Sequence, residues 1–151
     1  MKRIFLWPVI IGLSLLFSLN SFTPPNNSNL VHEVLTQTNT FRKSKGMNTL
    51  EMRGDLNALA NKHSEDMAKG KVGFGHAGFG KRFAKAEKEI SNFHGFAENV
   101  AYGSISGKQV VIMWEKSPGH RRNLLGPYKY AGIGIAKNKQ GQLFYTEVFA
   151  D

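Results

Sequence analysis

Gly132-Ile133-Gly134-Ile135-Ala136-Lys137, then Asn138-Lys139-Gln140-Gly141-Gln142, then Leu143-Phe144-Tyr145-Thr146-Glu147-Val148-Phe149, forms the alternating tail of the chain. Ile133 and Ile135 fall on one face of a strand, Lys137 to Gln142 makes a polar turn, and Leu143 to Phe149 returns as a second strand. Upstream, the apolar residues follow the helical period instead of the period of two. Helices that precede a terminal β-hairpin, with no internal repeat and no alternating βαβ units, place the chain in the α+β class.

Immediately before the hairpin, Ser106 and Gln109 form a capping-box pattern that opens a helix from Gly107 to Lys116, with Val110, Val111, Met113 and Trp114 as its apolar residues; Pro118 ends it. Further upstream a helix is predicted from Met52 to Lys69, with Leu56, Leu59, Ala60, His63 and Met67 on one face and Gly70 as the stop. The first helix is capped by Asn29, with Glu33 near its positive end and a stripe of Leu30, Val31, Val34, Leu35, Thr38 and Phe41. Lys43 and Lys45 suit its last turn, and Gly46 stops it. Lys81 to Ile90 reads as a short helix. Gly70 to Gly80 holds five glycines and forms a loop around His76, and Phe96-Ala97-Glu98-Asn99-Val100-Ala101 sets one carboxylate among apolar neighbours.

With 151 residues, 41% of them hydrophobic, the chain has the material for a single core. Cysteine is absent, which excludes disulfides, thiolate metal sites, thiol nucleophiles and a lipidated cysteine, so any metal must sit on His, Asp or Glu. Lys and Arg number 20 against 11 Asp and Glu, a formal +9 that favours anionic surfaces or polymers. No basic motif interleaved with aromatics is present, so nucleic acid is not an expected partner.

Met1-Lys2-Arg3 followed by the uncharged apolar run from Ile4 to Leu19 has the order of an export signal. The run is shorter than the roughly 20 residues that span hydrocarbon, and an uncleaved N-terminal anchor, which would put the protein at a membrane, is the alternative. The expected organisation is a signal over residues 1–22, a Pro-Pro-Asn-Asn linker over 23–29 and one domain over 30–151. Without Lys2 and Arg3 there remain 18 basic against 11 acidic side chains, so the net +7 belongs to the domain.

Gly75-His76, Ala97-Glu98-Asn99-Val100-Ala101, Trp114, Ser117-Pro118-Gly119-His120-Arg121 and Gly132-Ile133-Gly134 stand in an order that resembles the CAP superfamily, named for cysteine-rich secretory proteins, antigen 5 and pathogenesis-related 1 proteins, in its compact bacterial secreted form. Asn39-Thr40-Phe41-Arg42 resembles the family's first-helix Asn-x-x-Arg, and Ser64-Glu65-Asp66-Met67-Ala68 the end of its second helix. The resemblance implies a three-layer α-β-α sandwich around a central antiparallel sheet, with a cleft that gathers histidines and glutamate and in some members binds zinc. By motif match those residues are His76, His120 and Glu98, with Asn99, Ser117 and His94 as candidate cleft-lining residues. Ser117 stands where many members place a second glutamate, which leaves three residues instead of four.

Taken for their chemistry alone, His76 and His120 are neutral imidazole donors for a divalent ion, zinc above all, and Glu98 is a compensating carboxylate. Glu98 has two readings, as a ligand or as a buried carboxylate that fixes the cleft and orients an imidazole. Each histidine has a plainer reading too, His76 as a solvated loop residue and His120 as part of a helix termination. His94 reads as a loop residue near the cleft rim, His63 as a packed or surface side chain and His32 as solvated. No His-Glu-x-x-His or Gly-x-Ser-x-Gly pattern accompanies these residues. Three functions remain open: a secreted or cell-envelope binding module for lipid, sterol, peptide or envelope polymer, a metal-dependent hydrolase, and a basic protein held at anionic envelope polymer. Export predicts a mature chain that begins between Asn20 and Asn27, which mass spectrometry of the exported protein checks; an intact N-terminus on a soluble cytoplasmic product overturns it.

Overall fold

Gly132 and Gly134 present bare backbone to a helix. A Cβ at Gly132 would lie 2.2 Å from the backbone of Leu56, and one at Gly134 would lie 2.1 Å from the backbone of Ala60. The computed structural model, which describes residues 27–103 and 106–151, thus has β3 (Tyr130–Lys137) in direct backbone contact with α2 (Gly54–Ala68). Side chains from successive turns of α2 complete the contact. Asn57 and Asn61 accept from the backbone N–H groups of Ile133 and Ile135 at 2.8 and 3.2 Å, and the Ser64 hydroxyl donates to the Gly134 carbonyl at 2.9 Å. The alternation read from the sequence therefore has two uses. Glycines admit α2 on one face, and Ile133 and Ile135 enter the core on the other.

The expected hairpin is β3 paired antiparallel with β4 (Leu143–Ala150), and β4 pairs antiparallel with β2 (Phe96–Gly103). A two-residue strand β1 (Glu51–Met52) adds to β3 in parallel, so the sheet order is β1-β3-β4-β2 with β2 at one edge. On one face lie α1 (Asn27–Ser44), α4 (Gly107–Lys116) and α5 (Pro118–Leu124); on the other lie α2 and α3 (Phe79–Glu89). This is the α-β-α sandwich of the α+β class. The first core joins Leu30, Val34, Phe41, Val110, Val111, Trp114 and Leu124 to Ala131, Ile133, Tyr145 and Phe149. The second, smaller one joins Leu56, Ala60, Ala86 and Ile90 to Phe96 and Val148.

Several local expectations shift for physical reasons. The first helix begins at Asn27, not Asn29, and absorbs the end of the expected linker; Asn27 Nδ2 donates to the Ile135 carbonyl at 3.3 Å. The export segment and residues 23–26 lie outside the described residues. Glu33 therefore sits in the second turn of α1 and serves another helix, accepting from the N–H groups of Gly107 and Lys108 at the start of α4, both at 3.1 Å. Met52 belongs to β1, and α2 starts at Gly54. The α4 capping box forms as read, but Met113 is 49% exposed instead of packed. Pro118 ends α4 and also opens α5, where its fixed φ suits the first helical turn, so His120 rides on a short helix.

The Asn39/Arg42 pair on α1 holds the loops that flank the sheet. Asn39 donates to the Leu50 carbonyl and accepts from the Leu50 N–H. Arg42, only 1% exposed, donates to the carbonyls of Asn48, Leu124, Gly126 and Tyr128. Its charge lies near Glu147, a fully buried carboxyl on β4 that accepts from Thr38 Oγ1 at 3.1 Å through Oε2 and, among the described residues, has no partner at Oε1. Burial pushes Glu147 from an ordinary 4.5 up to about 8, against the opposing pull of Thr38 and Arg42. Between these two values the folded chain keeps a proton that the unfolded chain has released, so stability falls as pH rises from about 4.5 to about 8 and stays lower above. Glu147→Gln removes that slope. Its Tm is expected to match wild type near pH 4.5 and to exceed it by several degrees at pH 8, read from thermal melts followed by circular dichroism.

Candidate functional site

Edge strand β2 carries the centre of the site. Its outer row of backbone groups, which faces no further strand among the described residues, is covered by side chains: the Glu98 carbonyl accepts from Asn123 Nδ2 at 3.1 Å and the Val100 carbonyl from Trp114 Nε1 at 3.2 Å. The Glu98 side chain itself is buried on the α2/α3 face, with the residue 3% exposed. Arg82, one helical turn after the left-handed Gly78 that precedes α3 as its N-cap, meets it with two parallel bonds, Nε to Oε2 at 2.6 Å and Nη2 to Oε1 at 2.7 Å. The third guanidinium nitrogen donates to the Ala77 carbonyl at 2.9 Å and so ties the glycine-rich loop to the same anchor.

His76 completes the cluster, its Nδ1 at 2.9 Å from Glu98 Oε1. A carboxylate paired with a guanidinium only accepts, so Nδ1 is the donor of this bond, and in the neutral tautomer that the bond selects the lone pair is on Nε2. The His76 side chain is 49% exposed, which makes that nitrogen the reactive one. His63 approaches the same oxygen from α2, with Nε2 3.8 Å from Glu98 Oε1, while donating to the Gly75 carbonyl at 2.8 Å. Burial lowers the His63 pKa, and repulsion from Arg82 acts in the same direction, so its ring is a neutral strut beneath the loop.

His120 stands on α5, and its position is set from below. Asn99 is fully buried, donates to the His120 carbonyl at 3.2 Å and accepts from Asn123 at 2.9 Å. Burial lowers the His120 pKa, with a further contribution from His76 across the cleft. An open depression of about 400 Å³ is lined by His76, Phe79, Phe96, Glu98, Asn123 and Tyr128. Of the remaining expected residues, Asn99 lies under α5 instead of lining the cleft, and Ser117 is the half-buried residue that joins α4 to α5. His94 is an exposed loop residue whose backbone N–H donates to the Asp151 carbonyl.

Arg82, His63 and Asn123 have no motif signal of their own. The available hint for Arg82 is a long cation placed among the inward positions of an otherwise amphipathic α3. For His63 it is a histidine on the apolar face of α2, and for Asn123 nothing local marks it.

The donor set decides what an ion would meet here. Both oxygens of Glu98 are taken by Arg82 and His76, and among the described residues no group of three or more His, Asp and Glu side chains is placed to hold a metal. Two imidazoles suit zinc, and a carboxylate hydrogen-bonded behind one of them is the usual support for a ligating histidine. His76 and His120 are near enough for the charge of one to act on the other, and Glu98 orients the His76 ring.

Residues 35–149 match the model of CAP, the cysteine-rich secretory protein family. The uncharacterized membrane protein YlbC of Bacillus subtilis (strain 168) is 31% identical over 120 residues, which are 78% of this chain and 33% of YlbC. An outer surface protein from Borrelia burgdorferi shares the fold with a TM-score of 0.72 at 19% identity, covering 84% of this chain and 96% of that one. An extracellular protein containing a SCP domain from Bacillus anthracis str. Ames aligns with a TM-score of 0.68 at 25% identity, over 81% of this chain and 40% of that one. The chain thus spans a third of YlbC and two fifths of the B. anthracis chain.

Because Arg82 is the cation that offsets a carboxylate with no solvent access, Arg82→Met is expected to cost about 3–5 kcal/mol in urea unfolding. Replacing both partners, Arg82→Met with Glu98→Leu, is expected to recover most of that loss. A single variant within about 1 kcal/mol of wild type would show that the pair is not a structural strut.

Proposed function

The chain belongs to the cysteine-rich secretory protein family, and on that premise we propose that it works outside the cytoplasm as a binding module whose His76/His120 cleft takes a divalent cation, zinc by preference, together with a ligand. The observation that carries this reading is the Glu98–His76 hydrogen bond with Arg82 behind it, which fixes one imidazole and directs its proton away from the accessible nitrogen. Export is supported by the charged start and apolar run of the sequence, by the family's secretory description and by the extracellular relative from B. anthracis. The membrane protein YlbC keeps the anchored form as its alternative.

Bound between the imidazoles, the ion would supply a Lewis acid for a carbonyl or phosphoryl oxygen of the ligand. The chain's own residues do the positioning. Glu98 orients the ring of His76, Arg82 pairs with Glu98 through two bonds away from water, and Asn99 with Asn123 seats the short helix α5 that carries His120. The cleft carboxylate is committed to these bonds and is not available as a general base, which favours binding over hydrolysis. The ligand classes that suit such a cleft are the lipid, sterol, peptide and envelope-polymer groups expected from the sequence.

Calorimetric titration with zinc tests the reading. His76→Ala or His120→Ala is expected to lower affinity more than about tenfold, and Glu98→Gln by about tenfold through loss of imidazole orientation. Unchanged affinity in both histidine variants overturns the cation site. Zinc-dependent, chelator-sensitive hydrolysis of peptide or ester substrates would instead support the enzyme.

A further inference from the structure

The side-chain cover over the edge of β2 stops short of its first residues. In an antiparallel ladder the N–H and C=O of one residue point to the same side, and successive residues alternate. Along β2 the residues that turn away from β4 are Phe96, Glu98 and Val100, as the bonds from Asn123 and Trp114 to the Glu98 and Val100 carbonyls show. The Phe96 carbonyl and the Glu98 N–H flank Ala97 on that outer edge, and among the described residues neither has a partner. Phe96, Ala97 and Glu98 are 9%, 7% and 3% exposed, and all three line the depression of about 400 Å³ beside His76. An acceptor and a donor thus stand recessed at its floor, where leaving them without partners is costly.

The two groups have the spacing of a β-ladder, and that spacing selects the ligand. One extended residue lying opposite Ala97 reaches both, its N–H toward one and its C=O toward the other, whereas a hydrocarbon chain offers neither a donor nor an acceptor. We propose that the depression receives an extended peptide that runs parallel to β2, the residue opposite Ala97 donating to the Phe96 carbonyl and accepting from the Glu98 N–H. The inference rests on the reading of this depression as a ligand cleft and narrows that ligand to peptide. Asn123, already on the Glu98 carbonyl, ends the ladder after one rung. Side chains alternate along a strand, so the residues before and after the paired one fall on the α2/α3 side, the first beside Phe96 and the second beside His76. The Phe79 and Phe96 rings, with centroids 5.4 Å apart, give the first of them an aromatic wall, which favours a large apolar side chain there.

The test is titration of the exported protein with the neutral blocked peptide acetyl-Gln-Phe-Val-Thr-Gln-amide, followed by calorimetry and by amide proton–nitrogen spectra, with zinc and with chelator. Expected are binding and a downfield shift of the Glu98 amide proton. N-methylation at Val removes the donor to Phe96 and is expected to weaken binding at least about tenfold; methylation at Phe or Thr, whose N–H groups point away from β2, changes it less than about threefold. Exchange of the peptide Phe for Ala, or Phe79→Ala in the protein, is expected to weaken binding at least about fivefold. Binding indifferent to methylation, or weakened at Phe or Thr as much as at Val, overturns the pairing, as does a shift of the Glu98 amide by an N-acetylglucosamine oligomer or by oleate in place of the peptide. Zinc binding with no peptide binding overturns this inference and leaves the cation reading standing. Peptide pairing with no zinc affinity supports it and removes the cation from the cleft.

Discussion

The backbone-to-backbone approach of α2 onto β3 is the constraint on which the rest depends. At 2.2 and 2.1 Å from a notional Cβ, Gly132 and Gly134 have no room for even alanine without moving the helix. That contact sets the height of α2 above the sheet, and its polar bonds from Asn57, Asn61 and Ser64 set the register along it. Once α2 is so placed, His63 near its C-terminal end reaches the face of β2 that carries Glu98, two strands away. The site is thus positioned by a steric fit in which none of its own residues takes part.

Glu98 then organises what lies over the edge strand. A carboxylate withdrawn from water has to be matched by charge and hydrogen bonds, and Arg82, His76 and the nearby His63 meet that demand from three separate segments. Two of these segments have little packing of their own. The loop from Gly70 to Gly78 holds its shape through Gly75 and Ala77 carbonyls that accept from His63 and Arg82, and α3 presents a narrow buried face. The buried charge therefore fixes a loop that hydrophobic contacts alone would leave loose, and it leaves His76 half exposed with a defined tautomer.

The two faces of the sheet handle their buried polar groups differently. On the α2/α3 face the carboxylate is neutralised by a bidentate cation; on the α1 face Glu147 has a hydroxyl and a more distant guanidinium, so burial drives it toward the protonated form. Arg42, the cation near it, is saturated by four loop carbonyls and serves chain geometry before charge balance. These two carboxyls, one on an edge strand and one at the sheet's centre, separate a site in which a guanidinium meets the acid directly from a core that tolerates a neutral acid.

What the sequence alone determined was periodic or local. The hairpin, the four longer helices, the α4 capping box and the order of motifs around His76, Glu98 and His120 are all written in neighbouring residues, because period, caps and glycine stops act within a few positions. What only the tertiary structure decided was long-range. Glu33 leaves its own helix to cap α4, Pro118 starts a helix as well as ending one, and Asn99 turns under α5 instead of into the cleft. Arg82 finds Glu98 16 positions away, and His63 finds the same carboxylate across the α2 contact. A buried charge takes whichever partner the packing brings within reach, and that choice has no period for a sequence to display.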